Sequence, residues 1–358
     1  MRKIYIHCGT HKTGSTSLQE FLSVNSDLLN QNGYLYPVSG KNSSLNGQHN
    51  LAWELSRGRL YRTSYGNFRD LFGEISEFDG DVILSSEGFE CSLCHHERWK
   101  SIIEELKSLG FSVTIVIYVR NQISYFESLY AQLLNGWHAG EYLSYTNQVL
   151  STGKLLVDDA EFNFDYFHVI NKLTGLRDVD FVFRNYHRLE GQSVISDFLS
   201  LLGLDTANCP AQLERNVRDS LYSSFRLFYR NRKGKKLRLS DELVLSSISG
   251  FLELPYKRSS TLEDRFKESF YESNINVAGL FPSIDLNCYF SDAGCDKNAS
   301  ARSINLQRLF SFETYVALRQ ITIEMQSLPN LPGILRDKFA GSFFNSRLQD
   351  WADWVVND

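Results

Sequence analysis

The stretch Ser112-Val113-Thr114-Ile115-Val116-Ile117-Tyr118-Val119 is almost unbroken in its apolar character. A half-buried strand alternates polar and apolar residues, whereas a continuous run of this length belongs to a strand covered on both faces, as in parallel sheets. Parallel neighbours need long crossover connections, usually helical, and the flanking sequence supplies them. Lys3–Cys8, Asp81–Ser86 and Val179–Phe183 read as further short buried strands. Helical spacing recurs over 17–29, 51–57, 67–77, Trp99–Leu109, Ile123–Leu134 and 191–202. Tyr34–Tyr36 is a minor strand, and the polar segment 38–50 is expected to be a mobile loop. This alternation predicts an α/β fold, a central parallel sheet flanked by helices. The expected organisation is one domain of 358 residues, with an α/β core over 1–205 and a mostly helical region over 206–358.

Ligands in open parallel sheets bind beyond the carboxyl ends of the strands. Three features fall there: the loop after the first strand, Glu87, and Arg120. The loop, Gly9-Thr10-His11-Lys12-Thr13-Gly14-Ser15-Thr16, leads directly into a helix. Unpaired amides and the positive end of that helix form an anion cradle, to which Thr13, Ser15 and Thr16 add hydroxyl donors and Lys12 a positive charge. In a nucleotide triphosphatase the lysine follows the second glycine and a Ser or Thr follows the lysine. Here Lys12 precedes Gly14, and the strand at 81–86 ends in Ser-Ser-Glu without an obvious aspartate for magnesium. The order points to a phosphate-type ligand other than ATP–magnesium, with no metal required.

The segment His7-Cys8-Gly9-Thr10-His11-Lys12-Thr13-Gly14-Ser15-Thr16-Ser17-Leu18-Gln19 resembles the 5′-phosphosulfate loop of the PAPS-dependent sulfotransferase superfamily, its bacterial branch above all. Arg120 and Ser128, eight residues apart across a strand end and the next helix, resemble that family's second signature. Phe183–Gly191, Asp197–Leu204 and Glu268–Asn274 resemble further family segments. The resemblance implies a P-loop-like fold and the co-substrate 3′-phosphoadenosine 5′-phosphosulfate (PAPS). It implies that Lys12 contacts the bridging oxygen of the donor, that His11, Thr13, Gly14, Ser15 and Thr16 line the 5′ site, and that Arg120 and Ser128 hold the 3′-phosphate. A forked guanidinium suits a terminal phosphate. The chain departs from the small-molecule branch at Arg232-Lys233-Gly234, where Lys235-Lys236-Leu237-Arg238 follows instead of that branch's later residues.

Sulfuryl transfer to a hydroxyl needs a proton acceptor, and two residues compete. Glu87 ends a core strand, and burial would raise the proton affinity of its carboxylate. His49, in Gly47-Gln48-His49-Asn50, titrates near neutrality as any unperturbed imidazole does. His7 reads as a structural histidine inside its strand, and Trp137 and His138 as candidate linings of an acceptor cleft. The basic cluster Arg230, Arg232, Lys233, Lys235, Lys236 and Arg238 offers either a solvated turn or a grip for an anionic acceptor such as an acidic glycan. A carbohydrate or glycan acceptor is expected over a small phenol. The alternatives are an atypical P-loop kinase and a non-catalytic nucleotide-binding protein. A net charge of −5 argues against general nucleic-acid binding. The absence of an apolar leader after Met1 and of any long uncharged apolar run predicts a cytoplasmic protein without a membrane span. Cys91-Ser92-Leu93-Cys94-His95 matches a haem-attachment spacing but lacks an export signal, and reads as an ordinary loop with reduced thiols.

Overall fold

The computed structural model describes residues 1–42, 44–136, 140–173, 179–186, 193–204, 221–234, 236–253, 256–257, 260–284, 286, 304–327 and 347–356. Its strands are β1 Arg2–His7, β2 Tyr34–Leu35, β3 Asp81–Ser85, β4 Phe111–Val119, β5 Lys154–Val157, β6 Ala160–Asn163, β7 Val179–Asn185, β8 Tyr256–Lys257 and β9 Ile304–Asn305. Five of them form one parallel sheet in the order β2-β3-β1-β4-β7. The chain therefore leaves β1 towards one edge, returns through β3, and crosses β1 to reach β4. Such a reversal opens a crevice at the carboxyl ends of the strands. The fold is α/β, a five-stranded parallel sheet flanked by helices.

The helices up to residue 201 are α1 Ser15–Val24, α2 Ser26–Gln31, α3 His49–Ser56, α4 Phe68–Ser76, α5 Gly88–Ser92, α6 His96–Ser108, α7 Gln122–Asn135, α8 Tyr142–Thr152, α9 Tyr166–Leu173 and α10 Val194–Leu201. Strand side chains alternate between faces, and both faces are covered. Ile4, Ile6, Val82, Leu84, Val113, Ile115 and Ile117 pack with Leu51, Leu55, Leu71, Ile75, Ile103, Leu106 and Ile170. Tyr5, Ile83, Val116 and Tyr118 pack with Leu18, Leu22, Leu29, Phe198 and Leu199 on the other side. This double burial explains why β4 reads as an unbroken apolar run.

Two segments differ from their sequence reading for identifiable reasons. The single helix expected over 17–29 breaks at Asn25, whose side-chain amide takes the carbonyl of Phe21 at 2.8 Å. Asparagine competes for backbone groups in this way and interrupts helices. The segment 38–50, expected to be mobile, is instead clamped by amide side chains. Gln48 donates to the Pro37 carbonyl at 2.9 Å and accepts from the Ser85 amide at 2.9 Å. Asn50 donates to the carbonyls of Arg62 at 2.8 Å and Gly66 at 2.6 Å.

The chain divides into two compact units that take alternate stretches of sequence: Met1–Tyr125, Thr152–Val217 and Lys267–Ala293 in one, Phe126–Ser151, Arg218–Phe266 and Gly294–Asp358 in the other. The sheet belongs to the first. The second contains α7 from Phe126 onward, α8 up to Ser151, α11 Leu221–Lys233, α12 Leu239–Ile248, α14 Leu306–Leu309 and α15 Phe312–Ser327, with the pair β8–β9. Helix α13, Ser260–Leu280, supplies residues to both. The second unit has an aromatic core in which Tyr130, Tyr142 and Phe310 meet at 5.2–6.4 Å between ring centres. Two residues of its basic turn are paired internally. Arg232 pairs with Glu141 at 3.3 Å, and Lys233 bonds the fully buried Asp241. Lys235 lies outside the described residues. No described helix is long and apolar enough to cross a membrane.

Candidate functional site

The loop between β1 and α1 continues the sheet before it turns. The amides of Cys8 and Thr10 still bond the Val116 and Tyr118 carbonyls of β4, each at 2.9 Å. Three residues then adopt left-handed backbone: Gly9 at φ 62°, Lys12 at φ 67° and Gly14 at φ 80°. The Thr13 hydroxyl closes the turn on the Thr10 carbonyl at 2.6 Å. Gly14 caps α1 without a side-chain cap bond, and among the described residues no side chain is seen bonding the first-turn amides. Those amides have no partner inside the helix either. A side chain at Gly14 would also meet Val194 Cγ1 at 2.9 Å, so glycine is needed there twice over.

Donors converge on this helix start. The hydroxyls of Thr10 and Ser17 are buried and have no hydrogen-bond partner among the described residues. Thr10 lies in the loop and Ser17 in the first turn of α1, and a buried hydroxyl without a partner is costly. Arg120, just past β4, donates from Nη1 to the Lys12 carbonyl at 3.2 Å and lies 5.7 Å from the Tyr186 ring. Lys12 itself is exposed, as is Thr16, whereas Thr13 and Ser15 are buried. The loop and Arg120 are thus brought together. Ser128 lies two turns along α7, among the residues of the second unit. Trp137 and His138 lie outside the described residues.

Beside the cradle is a patch of ionisable groups. Glu90, on the short helix α5, is buried with both oxygens occupied. One accepts from the His11 amide and bonds His11 Nδ1, each at 2.9 Å; the other accepts from the Tyr125 hydroxyl at 2.7 Å and the Asn163 amide at 3.4 Å. The His11 ring stands edge-on to Phe162 at 5.0 Å. Burial alone would lower the His11 pKa, but the hydrogen bond and charge of Glu90 outweigh it and raise the value. Glu87 caps α5 and accepts from the Gln19 amide at 2.6 Å. Burial would raise its carboxyl, yet the neighbouring His49 and His11 rings and the Gln19 bond hold it down at about 2. His49 is buried, with Nδ1 at 2.8 Å from the Ser86 hydroxyl and its ring stacked on Trp53 at 6.0 Å. Burial lowers its pKa. Gly47 leaves room for this cluster, since a side chain there would meet Gln19 Cδ at 2.8 Å and His49 Nε2 at 3.0 Å.

His7 lies outside this patch in the core. Its Nδ1 bonds the Ser85 hydroxyl at 2.8 Å, its ring meets Tyr118 and Phe198 edge-on, and burial drives its pKa down to about 4. Sequence reasoning passed over Glu90, Gln19, Ser86 and the hairpin residues Phe162 and Asn163. One signal was available for Glu90. It follows Glu87 by three residues at a strand end, and that spacing puts two carboxylates on one side of a helix.

No family model matches the chain, and no curated protein matches it. Among solved structures it is similar to a sulfotransferase from Alicyclobacillus acidocaldarius, at 14% identity and TM-score 0.38, covering 64% of this chain and 93% of that one. It is also similar to a structure of the PezAT chromosomal toxin-antitoxin system of Streptococcus pneumoniae, at 12% identity and TM-score 0.30, covering 70% of this chain and 87% of that one. Both likenesses are too distant to bear on chemistry.

Proposed function

We propose that the chain transfers a sulfuryl group from PAPS to an acceptor hydroxyl, with a carbohydrate or glycan as the acceptor class. The observation that carries this reading is the uncapped start of α1. The loop and the first turn of α1 carry two buried hydroxyls without a partner among the described residues, a left-handed Lys12, and the Arg120 guanidinium bonded to the Lys12 carbonyl. That donor set fits a phosphosulfate, and Arg120, paired in sequence with Ser128, is assigned the 3′-phosphate. The carboxylates that follow β3 are already engaged, Glu90 by four contacts and Glu87 by Gln19. This supports a metal-independent group transfer over an ATP–magnesium site.

The donor supplies the activated sulfuryl group. Lys12 and the first-turn amides of α1 stabilise the negative charge that develops on the bridging oxygen as it leaves. Thr13, Gly14, Ser15 and Thr16 hold the 5′ side, and His11 lies at its edge. The exposed rim suits a polar acceptor. Trp53 offers an aromatic face, and Gln19, Glu87 and His49 offer polar groups beside it.

Calorimetric titration with adenosine 3′,5′-bisphosphate and with ATP plus magnesium tests the assignment. The bisphosphate is expected to bind more tightly, and tighter magnesium-dependent ATP binding would favour a kinase instead. Arg120→Ala should weaken the bisphosphate about 10- to 100-fold, the loss of a charged hydrogen bond, and leave adenosine 5′-monophosphate nearly unchanged. Labelled donor presented to polysaccharide, glycolipid and phenol pools identifies the acceptor. Lys12→Ala should cut turnover by roughly 10²- to 10³-fold.

A further inference from the structure

We infer that His11, held from behind by Glu90, is the base that takes the acceptor's proton, in place of the two residues the sequence puts forward. This rests on the sulfuryl-transfer reading and deepens it. The case begins with Glu90. Three of its contacts are donors, the His11 amide, the Tyr125 hydroxyl and the Asn163 amide, and the fourth is His11 Nδ1. A carboxylate receiving three donors is an acceptor throughout, so Nδ1 of His11 carries a proton. In the neutral ring the lone pair is then on Nε2, on the side away from Glu90. A carboxylate behind Nδ1 fixes the tautomer and steadies the imidazolium formed on proton uptake. The edge-on Phe162 ring limits rotation.

The competing residues are arranged differently. The Ser86 hydroxyl accepts from the Gly88 amide at 3.0 Å, and His49 Nδ1 at 2.8 Å is the acceptor available to its own proton. With the Ser86 proton placed on His49 Nδ1, neutral His49 carries its hydrogen on Nε2, where it donates instead of accepting. Glu87 is bonded by Gln19 and flanked by two imidazoles, an environment that favours its anion and makes it a weak proton acceptor. His11 is left as the group with an open basic nitrogen, one residue from Lys12.

The step balances within the two substrates. The acceptor oxygen forms its bond to sulfur as its proton passes to His11 Nε2. The bond from sulfur to the bridging oxygen breaks, and its electron pair leaves with the phosphate beside Lys12. The imidazolium returns its proton to solvent. The charges facing His11 are Glu90 and Glu87 from α5 and its cap, Lys12 on the loop and His49 on α3, with the Tyr125 hydroxyl from α7.

Long-range ¹H–¹⁵N spectra of the ligand-free chain read the tautomer directly, without any variant. The expected result is a neutral His11 protonated on Nδ1, titrating at higher pH than His49. In Glu90→Gln that midpoint should fall. A neutral His11 protonated on Nε2, or a midpoint unmoved in Glu90→Gln, overturns the proposal. His11→Ala should lose about 10²- to 10⁴-fold in turnover on whichever acceptor pool the wild type sulfates. Its loss of affinity for adenosine 3′,5′-bisphosphate should be far smaller than its loss of turnover, and added imidazole should restore activity. Loss of turnover matched by loss of bisphosphate affinity, without rescue, makes His11 a binding residue and sinks its role as base. A wild type that neither binds the bisphosphate nor sulfates any pool instead overturns the sulfuryl-transfer reading itself.

Discussion

Lys12 holds φ at 67°, a backbone conformation that costs an ordinary L-residue about 1–2 kcal/mol. Strain of this kind is kept where function needs the side chain. Lys12→Gly is therefore expected to raise unfolding stability by roughly 1 kcal/mol while cutting turnover as Lys12→Ala does, which parallel denaturation and activity measurements would separate. His7 carries the opposite kind of cost. Its pKa falls from 6.5 to about 4 in the folded chain, so between those values the unfolded state binds more protons. Stability is then full above pH 6.5 and declines on acidification towards pH 4, by about 3 kcal/mol in all. His7→Gln, which keeps a partner for Ser85, should flatten that slope in urea unfolding curves collected from pH 7 to 4. Glu87 acts in a lower window: its depressed pKa adds stability above about 4.5, lost as pH falls towards 2.

The strands were legible in the sequence because burial on both faces writes itself into composition, and β1, β3, β4 and β7 lie within a residue or two of their expected places. The cradle was legible because glycine spacing and a lysine are local signals. The hairpin β5–β6 was not. Its four-residue strands carry Lys154 and Glu161, an ion pair at 2.9 Å, and turn at Asp158, which adopts φ 53°. Nothing in ten such residues distinguishes a strand from a loop. Glu90 was illegible for a related reason: its partners lie 79, 35 and 73 residues away in the chain. Only the tertiary fold declares it buried. Gly14 gives a test at this scale. Gly14→Ala meets both an unfavourable φ and the Val194 methyl, and should cost about 1–3 kcal/mol. Val194→Ala should recover the steric part alone, so the double variant remains less stable than Val194→Ala by itself.

At the scale of the molecule, the sheet relies on a late part of the chain. Gln122 donates to Asn274 at 2.7 Å, Ser273 bonds Asp165 at 2.8 Å, and Val277 packs into the core beneath β4. A fragment ending at residue 205 keeps every strand of the sheet but loses these partners. It should bind hydrophobic dyes and unfold without a cooperative transition; a sharp two-state melt would show that α13 is dispensable. The interleaving of the two units has a consequence for synthesis. The ribosome delivers β1 to β7 first, then a long stretch of the other unit, and only afterwards the part of α13 that covers the sheet. For that interval the core beneath β4 lacks Val277 and Ile284, so the chain's yield in the cell should depend on chaperone supply more than its finished stability implies.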